Sequence, residues 1–408
     1  MTRLPGKSLR YALISVGIAV ILFTIFTHFD ITGRNEGLFL LHGRNTLFEV
    51  KDDLFLGDGD RLIYGIDYDS PKFLFARFFK RSKPPEPGTP HIDVHWNCKD
   101  GSGYVMNYFG DGRKIFTSFS RFEDSDGLET HGLFVGGGLP KNVMGSDLGK
   151  MDETGMAYFN GKRWEHLWCN VNEGLGSGKT MAPVTPAMWK FLGSRVLNSG
   201  KSLAIESSHE AIVDDVPLRI DRYAYFRPGE PYFLLTIRLK NVGNQPVSYY
   251  YCYGDDPWLG GFGSSKGNVG WTKDRLYQYV GWVDTSKYTW AGYFDNGNPA
   301  AGEGHNYTNS ANFIEWIGDE TPAVYFSNDP MEYPTESNQN EPLKSNARFI
   351  GIQWGPRRLA PGEVEIYCLA IGMAWNDPQT GFPVKPKLNI NYNKVMEMLR
   401  NENRSPGF

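Results

Sequence analysis

A chain of 408 residues with 14% aromatics, 47 glycines and 25 prolines is long enough for a large β domain, and its short apolar runs broken by turn clusters exclude a helical bundle. A formal net charge of -4 leaves no basic field to hold nucleic acid, so nucleic-acid partners are excluded. Four cysteines without CxxC or Cys/His spacing exclude a cysteine-held zinc site and a disulfide framework, and no motif asks for a cofactor.

The first ten residues carry Arg3, Lys7 and Arg10 and no acid, and residues 11–26 are apolar apart from Ser15 and Thr24. This run approaches the ~20 residues that span a bilayer, and Thr27, His28 and Phe29 extend it into the interface, so residues 11–29 are expected to contact lipid. The exit towards Asp30 has no small-x-small cleavage site, which makes the segment a retained signal-anchor rather than a cleaved signal. Basic residues ahead of the span place the N-terminus in the cytoplasm and the main domain in the periplasm or outside the cell. The expected divisions are a cytoplasmic tip and transmembrane helix over 1–30, a β domain over 31–376, and a loop with a short helix over 377–408.

From Leu38 to Tyr64 short apolar runs alternate with Gly- and Asp-rich turns and predict hairpins. Ser70 and Pro71 can start a helix that interleaves Phe73, Phe75, Phe78 and Phe79 with Lys72, Arg77, Lys80 and Arg81, before the loop KPPEPGTP over 83–90. His91, Asp93 and His95 share one face of a predicted strand, a pattern open to metal binding. Ile92, Val94, Trp96 and Cys98 form the opposite apolar face, so a solvated half-buried strand accounts for the same alternation and is preferred. Acidic residues from Glu123 to Asp126 lack the Gly and Glu placement of a calcium loop and predict a solvated turn.

Trp164, Glu165, His166 and Trp168 form an aromatic and polar cluster of the kind that stacks on a sugar and bonds its hydroxyls, although edge-strand packing is the commoner explanation of such a cluster. The run GLGSGKT over 174–180 imitates a phosphate loop, but Glu173 stands where the motif needs glycine. Short strands from Ser202 to Ile220, turning at Asp214 and Asp215, lead to the alternating run Tyr232–Leu239, which predicts a half-buried strand with Thr236 and Arg238 on its polar side. Asn241 to Pro246 supplies a turn, Val247 to Tyr253 a second strand, and the two together predict a hairpin that ends at Gly254-Asp255-Asp256-Pro257-Trp258. Eight rings between Trp271 and Phe294 suggest carbohydrate contact, although aromatics also fill β-sandwich cores. Cys252 and Cys368 sit in apolar strands and are expected to be buried thiols, whereas Cys98 and Cys169 have more polar settings. Tyr392 to Asn401 predicts a short helix burying Val395, Met396 and Leu399.

The long strand, N-x-G turn with Pro246, second strand and Gly-Asp-x-Pro-aromatic stretch, joined by the L-x-PGE turn at Leu359 to Glu363 and the strand after it, resemble the galactose mutarotase-like (aldose 1-epimerase-like) β-supersandwich superfamily. The resemblance implies an all-β fold, a large antiparallel β-supersandwich, here preceded by one transmembrane helix and followed by a short helix. It also implies a sugar cleft near the second strand, where a His acts as general acid and a Glu as base. This chain is a divergent member, because Asp256 stands where that His is expected and Glu341 lies near the position of the base, with Glu332 and Glu336 as competitors. A carboxyl holds a proton at neutral pH only with a strongly raised pKa, so true mutarotase activity is not expected. The implied contact residues are Asp255, Asp256, Trp258, Trp164 and His166, with Asp256 and Glu341 as the catalytic pair if the chain is an enzyme of epimerase, glycosidase or lyase type. The expected function is a membrane-anchored extracytoplasmic protein that recognises a carbohydrate or cell-envelope glycan. A non-catalytic structural subunit of a membrane complex is the alternative.

Overall fold

Runs of alternating residues punctuated by turn formers give strands almost throughout. The computed structural model describes residues 62–68, 86–97, 101–123, 129–133, 155–162, 164–178, 183–184, 188–198, 202–259, 268–295, 310–329, 332–344, 348–376 and 383–403. The expected membrane segment, the 70–81 stretch, the acidic turn at 124–127 and Cys98 lie outside them, and among the described residues no helix is long and apolar enough to cross a membrane. The strands are β1 (Leu62–Tyr68), β2 (His91–Asn97), β3 (Ser102–Tyr108), β4 (Lys114–Glu123), β5 (Glu129–Leu133), β6 (Gly155–Phe159), β7 (Trp164–Ser177), β8 (Pro183–Val184), β9 (Lys190–Asn198), β10 (Leu203–Val213) and β11 (Val216–Phe226). They continue as β12 (Tyr232–Asn241), β13 (Val247–Leu259), β14 (Asn268–Trp271), β15 (Leu276–Tyr277), β16 (Gly281–Trp282), β17 (Trp290–Asp295), β18 (Ser310–Ile317), β19 (Ala323–Ser327), β20 (Phe349–Leu359), β21 (Val364–Asn376) and β22 (Pro383–Val384), followed by α1 (Tyr392–Asn403).

Two large sheets result. One has 12 strands in the order β1-β2-β3-β4-β6-β7-β13-β20-β19-β16, with β5 beside β4 and β8 beside β7. The other has 10, ordered β15-β14-β17-β18-β21-β12-β11-β10-β9 with β22 beside β21. Pairing is antiparallel except between β1 and β2. The main core lies between the sheets and takes Tyr249, Tyr251 and Tyr253 from β13, Ile350 and Ile352 from β20, and Leu235, Ile237 and Leu239 from β12. The all-β sandwich expected from the sequence is therefore present.

The predicted hairpin at Asn241–Pro246 is not one. β12 pairs with β11 and β21 in the smaller sheet, whereas β13 pairs with β7 and β20 in the larger, so the chain arches from one sheet to the other. The PGE turn makes the same crossing from β20 to β21 directly beside it. Asn241, fully buried, ties the two arches together. Its Nδ2 donates to the carbonyls of Gln245 and Leu359 at 2.8 and 3.0 Å, its Oδ1 accepts from Gly243 N–H at 2.9 Å, and its backbone bonds Glu363 and Gly362. Strand alternation is the same whether the partner lies beside the strand or across the sandwich, and for this reason the sequence pattern reads equally as a hairpin.

β12 is also buried on both faces, not one. Thr236 and Arg238 are covered, and Arg238 reaches Asp221 of β11 at 3.3 Å. A second core lies on the outward face of the smaller sheet, where Val395, Met398 and Leu399 of α1 join Tyr232, Leu234, Ile366 and Cys368. Met398 is more buried than the expected Met396 because α1 turns its 395/398/399 side to the sheet. The Asp214–Asp215 turn is a true two-residue hairpin between β10 and β11, with φ of 48° and 66°, values that Asp tolerates better than most residues. The stretch from Gly174 to Ser177 is strand, not a loop leading into a helix, in agreement with the rejection of a phosphate loop.

Glu173 of β7 and Arg222 of β11 form an ion pair at 2.8 Å across the core, their side chains 0% and 2% exposed, and Tyr251 donates to Glu173 Oε1 at 2.7 Å. Burial pushes the Glu173 carboxyl up, while Arg222 and the Tyr251 hydroxyl pull it back. Removing one member of such a pair strands a charge in the core. Arg222→Met alone is expected to cost about 3–5 kcal/mol by urea denaturation, and adding Glu173→Gln should restore at least ~1 kcal/mol of it. An additive pair of losses would show that the two charges do not depend on each other.

Candidate functional site

Because Glu173 points into the core, strand alternation assigns the even-numbered positions of β7 to the outward face of the larger sheet. β7 pairs with β13 from Leu167↔Leu259 to Ser177↔Tyr249 without a slip, so the parity holds along the whole ladder. Trp168 sits opposite Trp258, Asn170 opposite Asp256, and Asn172 opposite Gly254. Positions 164, 166, 168, 256 and 258 therefore share the outward face with Cys252. Asp255 has the parity of Tyr251 and Tyr253, which pack in the core. The strand does not stop at Gly254 as the sequence suggested: Asp255 to Trp258 are paired residues inside β13.

At one end of this face rings gather around a lysine. Lys114 Nζ lies 5.5, 5.4 and 5.2 Å from the ring centres of Tyr108, Phe159 and Trp164, and Phe159 packs on Trp164 at 5.3 Å. His91 stacks on Tyr108 at 4.2 Å, with 8° between the planes, and His95 meets Tyr104 edge-on at 5.3 Å. Of this group, Tyr104, Tyr108 and Trp164 pack on the small apolar cluster of Met106, Phe116 and Ala157. His91, Asp93 and His95 are half-buried and alternate with buried Ile92, Val94 and Trp96, as a half-buried strand requires. Among the described residues no group of three or more His, Cys, Asp or Glu side chains is placed to hold a metal ion. Burial raises the Asp93 carboxyl above its ordinary 3.8, an effect partly offset by His91, by a hydrogen bond from Tyr108 and by Lys114.

At the other end, Trp282 of β16 is 45% exposed, meets Tyr325 edge-on at 5.5 Å and stacks with Tyr333 at 6.3 Å. Tyr325 lies over Gly351, where any Cβ would fall 2.2 Å from its ring, so glycine alone lets this ring lie against the sheet. Cys252 donates to Gln353 Oε1 at 3.4 Å, and burial, against a smaller opposing effect of Tyr333, pushes the thiol up to about 12, which makes it an inert floor residue. Cys368 is likewise buried, in the other sheet, with its thiol also pushed up to about 12. Glu341 is exposed on the 332–344 turn, which is pinned to the sheet edge by Val280 N–H donating to Glu341 O at 2.8 Å and by Asn340 N–H donating to Val280 O at 3.1 Å.

The ring-rich span from Trp271 to Phe294 is mostly core. Trp271, Tyr277, Tyr288, Trp290, Tyr293 and Phe294 are buried, and only Tyr279 and Trp282 are exposed. Sequence reasoning found Trp164 but missed Lys114, Tyr108, Phe159, Tyr325 and Tyr333. These come from separate strands and carry no local motif; only sheet order brings them together.

No family description and no curated protein matches the sequence. Solved structures similar to the chain include the GH36 α-galactosidase AgaB from Geobacillus stearothermophilus, at 9% identity and TM-score 0.38, matched over 70% of this chain. A GalM/aldose epimerase homologue from C. elegans matches over 68% of this chain and 100% of its own length, at 12% identity and TM-score 0.33. A putative aldose 1-epimerase from Klebsiella pneumoniae matches over 77% and 88%, at 12% identity and TM-score 0.33. The chain spans 41% of the length of the galactosidase. Likeness at this level says nothing of what the chain binds.

An acid whose pKa is higher in the folded than in the unfolded chain stabilises the fold while protonated, fully below the unfolded value and progressively less as pH rises through the folded one. Asp93→Asn cannot ionise and keeps an acceptor for Tyr108. It is expected to raise the urea midpoint near pH 7 and to leave it almost unchanged near pH 3, where Asp93 is itself neutral. A lower midpoint near pH 7 would mean that the ionised carboxylate is a net stabiliser.

Proposed function

We propose that this chain is a membrane-anchored, extracytoplasmic protein of the cell envelope that recognises carbohydrate with the outward face of its larger sheet and lacks mutarotase activity. The observation that supports this reading is the composition of that face, where the partly exposed rings of Tyr108, Phe159, Trp164, Trp282 and Tyr333 stand beside polar groups such as Lys114 and His91. Ring faces take up the apolar side of a sugar, and neighbouring polar groups bond its hydroxyls. Asp256, Trp258, Trp164 and His166 form the proposed contact set. Glu341, on the turn beside Val280, and Asp255, next to Asp256 but of opposite strand parity, are the further carboxylates assigned to it. Asp256 replaces the imidazole that the resemblance expects, so binding without turnover follows for sugars that a mutarotase would interconvert. Residues 11–29 supply the anchor.

Purified full-length protein in detergent is expected to gain thermal stability with at least one saccharide in a screen of envelope glycans, and Trp258→Ala should weaken that binding by about 1–3 kcal/mol without lowering the unfolding temperature of the free protein. No stabilisation by any saccharide would favour the structural-subunit alternative. For the anchor, the protein should remain in the membrane pellet after alkaline carbonate washing and keep its original N-terminus; a mature chain that begins near Asp30 would replace the anchor with a cleaved signal.

A further inference from the structure

The two ring platforms stand on one face of one sheet but at opposite ends of a diagonal. From Trp164 on β7 to the rung Asn172↔Gly254, Gly254↔Gly351, Gly351↔Tyr325, Tyr325↔Trp282 is eight residues along the strand direction, and from β7 to β16 is four strand spacings. At ordinary strand dimensions these steps separate Trp164 from Trp282 by on the order of 30 Å. That exceeds the reach of a single sugar ring several-fold. Positions beside the line between them, 168 and 258 in one rung and 170 and 256 in the next, belong to the same face. Close to its far end the track reaches the rung of Gly254 and Gly351, where the ring of Tyr325 lies over Gly351 and carries Trp282 against its edge. Lys114 makes no ion pair with any described residue and keeps its ammonium group at the Trp164 end, half-exposed among three rings.

We infer that the ligand of this face is an extended saccharide chain, laid diagonally across β7, β13, β20, β19 and β16, with one sugar seated on the Phe159/Trp164/Lys114 platform and another on the Trp282/Tyr333 platform. The inference rests on the proposal that the face binds carbohydrate, and it adds that the two platforms act on one molecule. A chain that fills both platforms gains the second contact without a second loss of translational freedom, so affinity rises steeply once the chain is long enough to reach both. A monosaccharide can occupy only one place and shows none of this.

The test is a tryptophan-fluorescence titration of the full-length protein with gluco-, galacto-, manno- and N-acetylglucosamine oligosaccharides, each from monosaccharide to octasaccharide. Affinity is expected to climb with length in at least one series, and Trp164→Ala and Trp282→Ala should each reduce octasaccharide affinity about five- to tenfold while leaving any disaccharide affinity changed at no more than one of them. Trp282→Phe, which keeps a stacking ring, should retain most of the affinity, and thermal unfolding of each variant separates lost contacts from lost folding. Equal affinity for short and long members of a series that binds, or a loss confined to one platform, overturns the single-chain inference and leaves carbohydrate recognition standing. Binding to no member of any series overturns both.

Discussion

The buried pair of Glu173 and Arg222 sets the orientation on which the outward face depends. A carboxylate and a guanidinium withdrawn from water tolerate little displacement, because each is the other's principal compensation for lost hydration. With Glu173 held inward and Tyr251 bonded to it, β7 and β13 have one permitted parity. A slip of one residue in β7 would turn Glu173 towards solvent and bring positions 164, 166 and 168 into the core. The face that carries Trp164 is thus fixed by a charge pair on the opposite side of the same strand.

Asn241 imposes the second constraint. Two arches cross between the sheets side by side, and a single side-chain amide satisfies carbonyls in both. Backbone groups in these arches leave the sheet ladders and have no partner of their own, so an amide with two donors and an acceptor is suited to the position. The arches deliver β13 and β20 to the larger sheet as neighbours, and that adjacency puts Cys252 against Gln353 and Tyr325 over Gly351. The binding face and the crossing are one piece of architecture.

Aromatic residues have divided duties in this molecule. Tyr249, Tyr251 and Tyr367 form a hydrogen-bonded and stacked group inside the sandwich, and Trp271 with Trp290 packs the outward face of the smaller sheet. Trp282, Tyr333, Trp164 and Phe159 instead keep part of their rings in solvent on the larger sheet. The second set is small. Its distinction from the first lies in which layer covers it: the smaller sheet has α1 and the 383–390 segment over its outward side, whereas these four rings of the larger sheet are only partly covered.

Local sequence determined much of the secondary structure: the strand at His91 with its polar and apolar sides, the Asp214–Asp215 hairpin, the strands flanking the PGE turn, and the short C-terminal helix. Each is set by alternation, turn conformation or helical spacing within a few residues, and those forces act before any partner is chosen. The burial of Cys252 and Cys368 was legible for the same reason. Sheet membership was not. The alternation of Tyr232–Leu239 is identical for a hairpin and for an arch, and the polar pattern of Thr236 and Arg238 does not reveal that both will be buried, with Arg238 held by Asp221. Ring density between Trp271 and Phe294 marked a region but not a surface, because a core and a sugar platform use the same residues. Lys114, Phe159 and Trp164, or Tyr325, Tyr333 and Trp282, become neighbours only through strand order, a property of long-range pairing that no window of sequence contains.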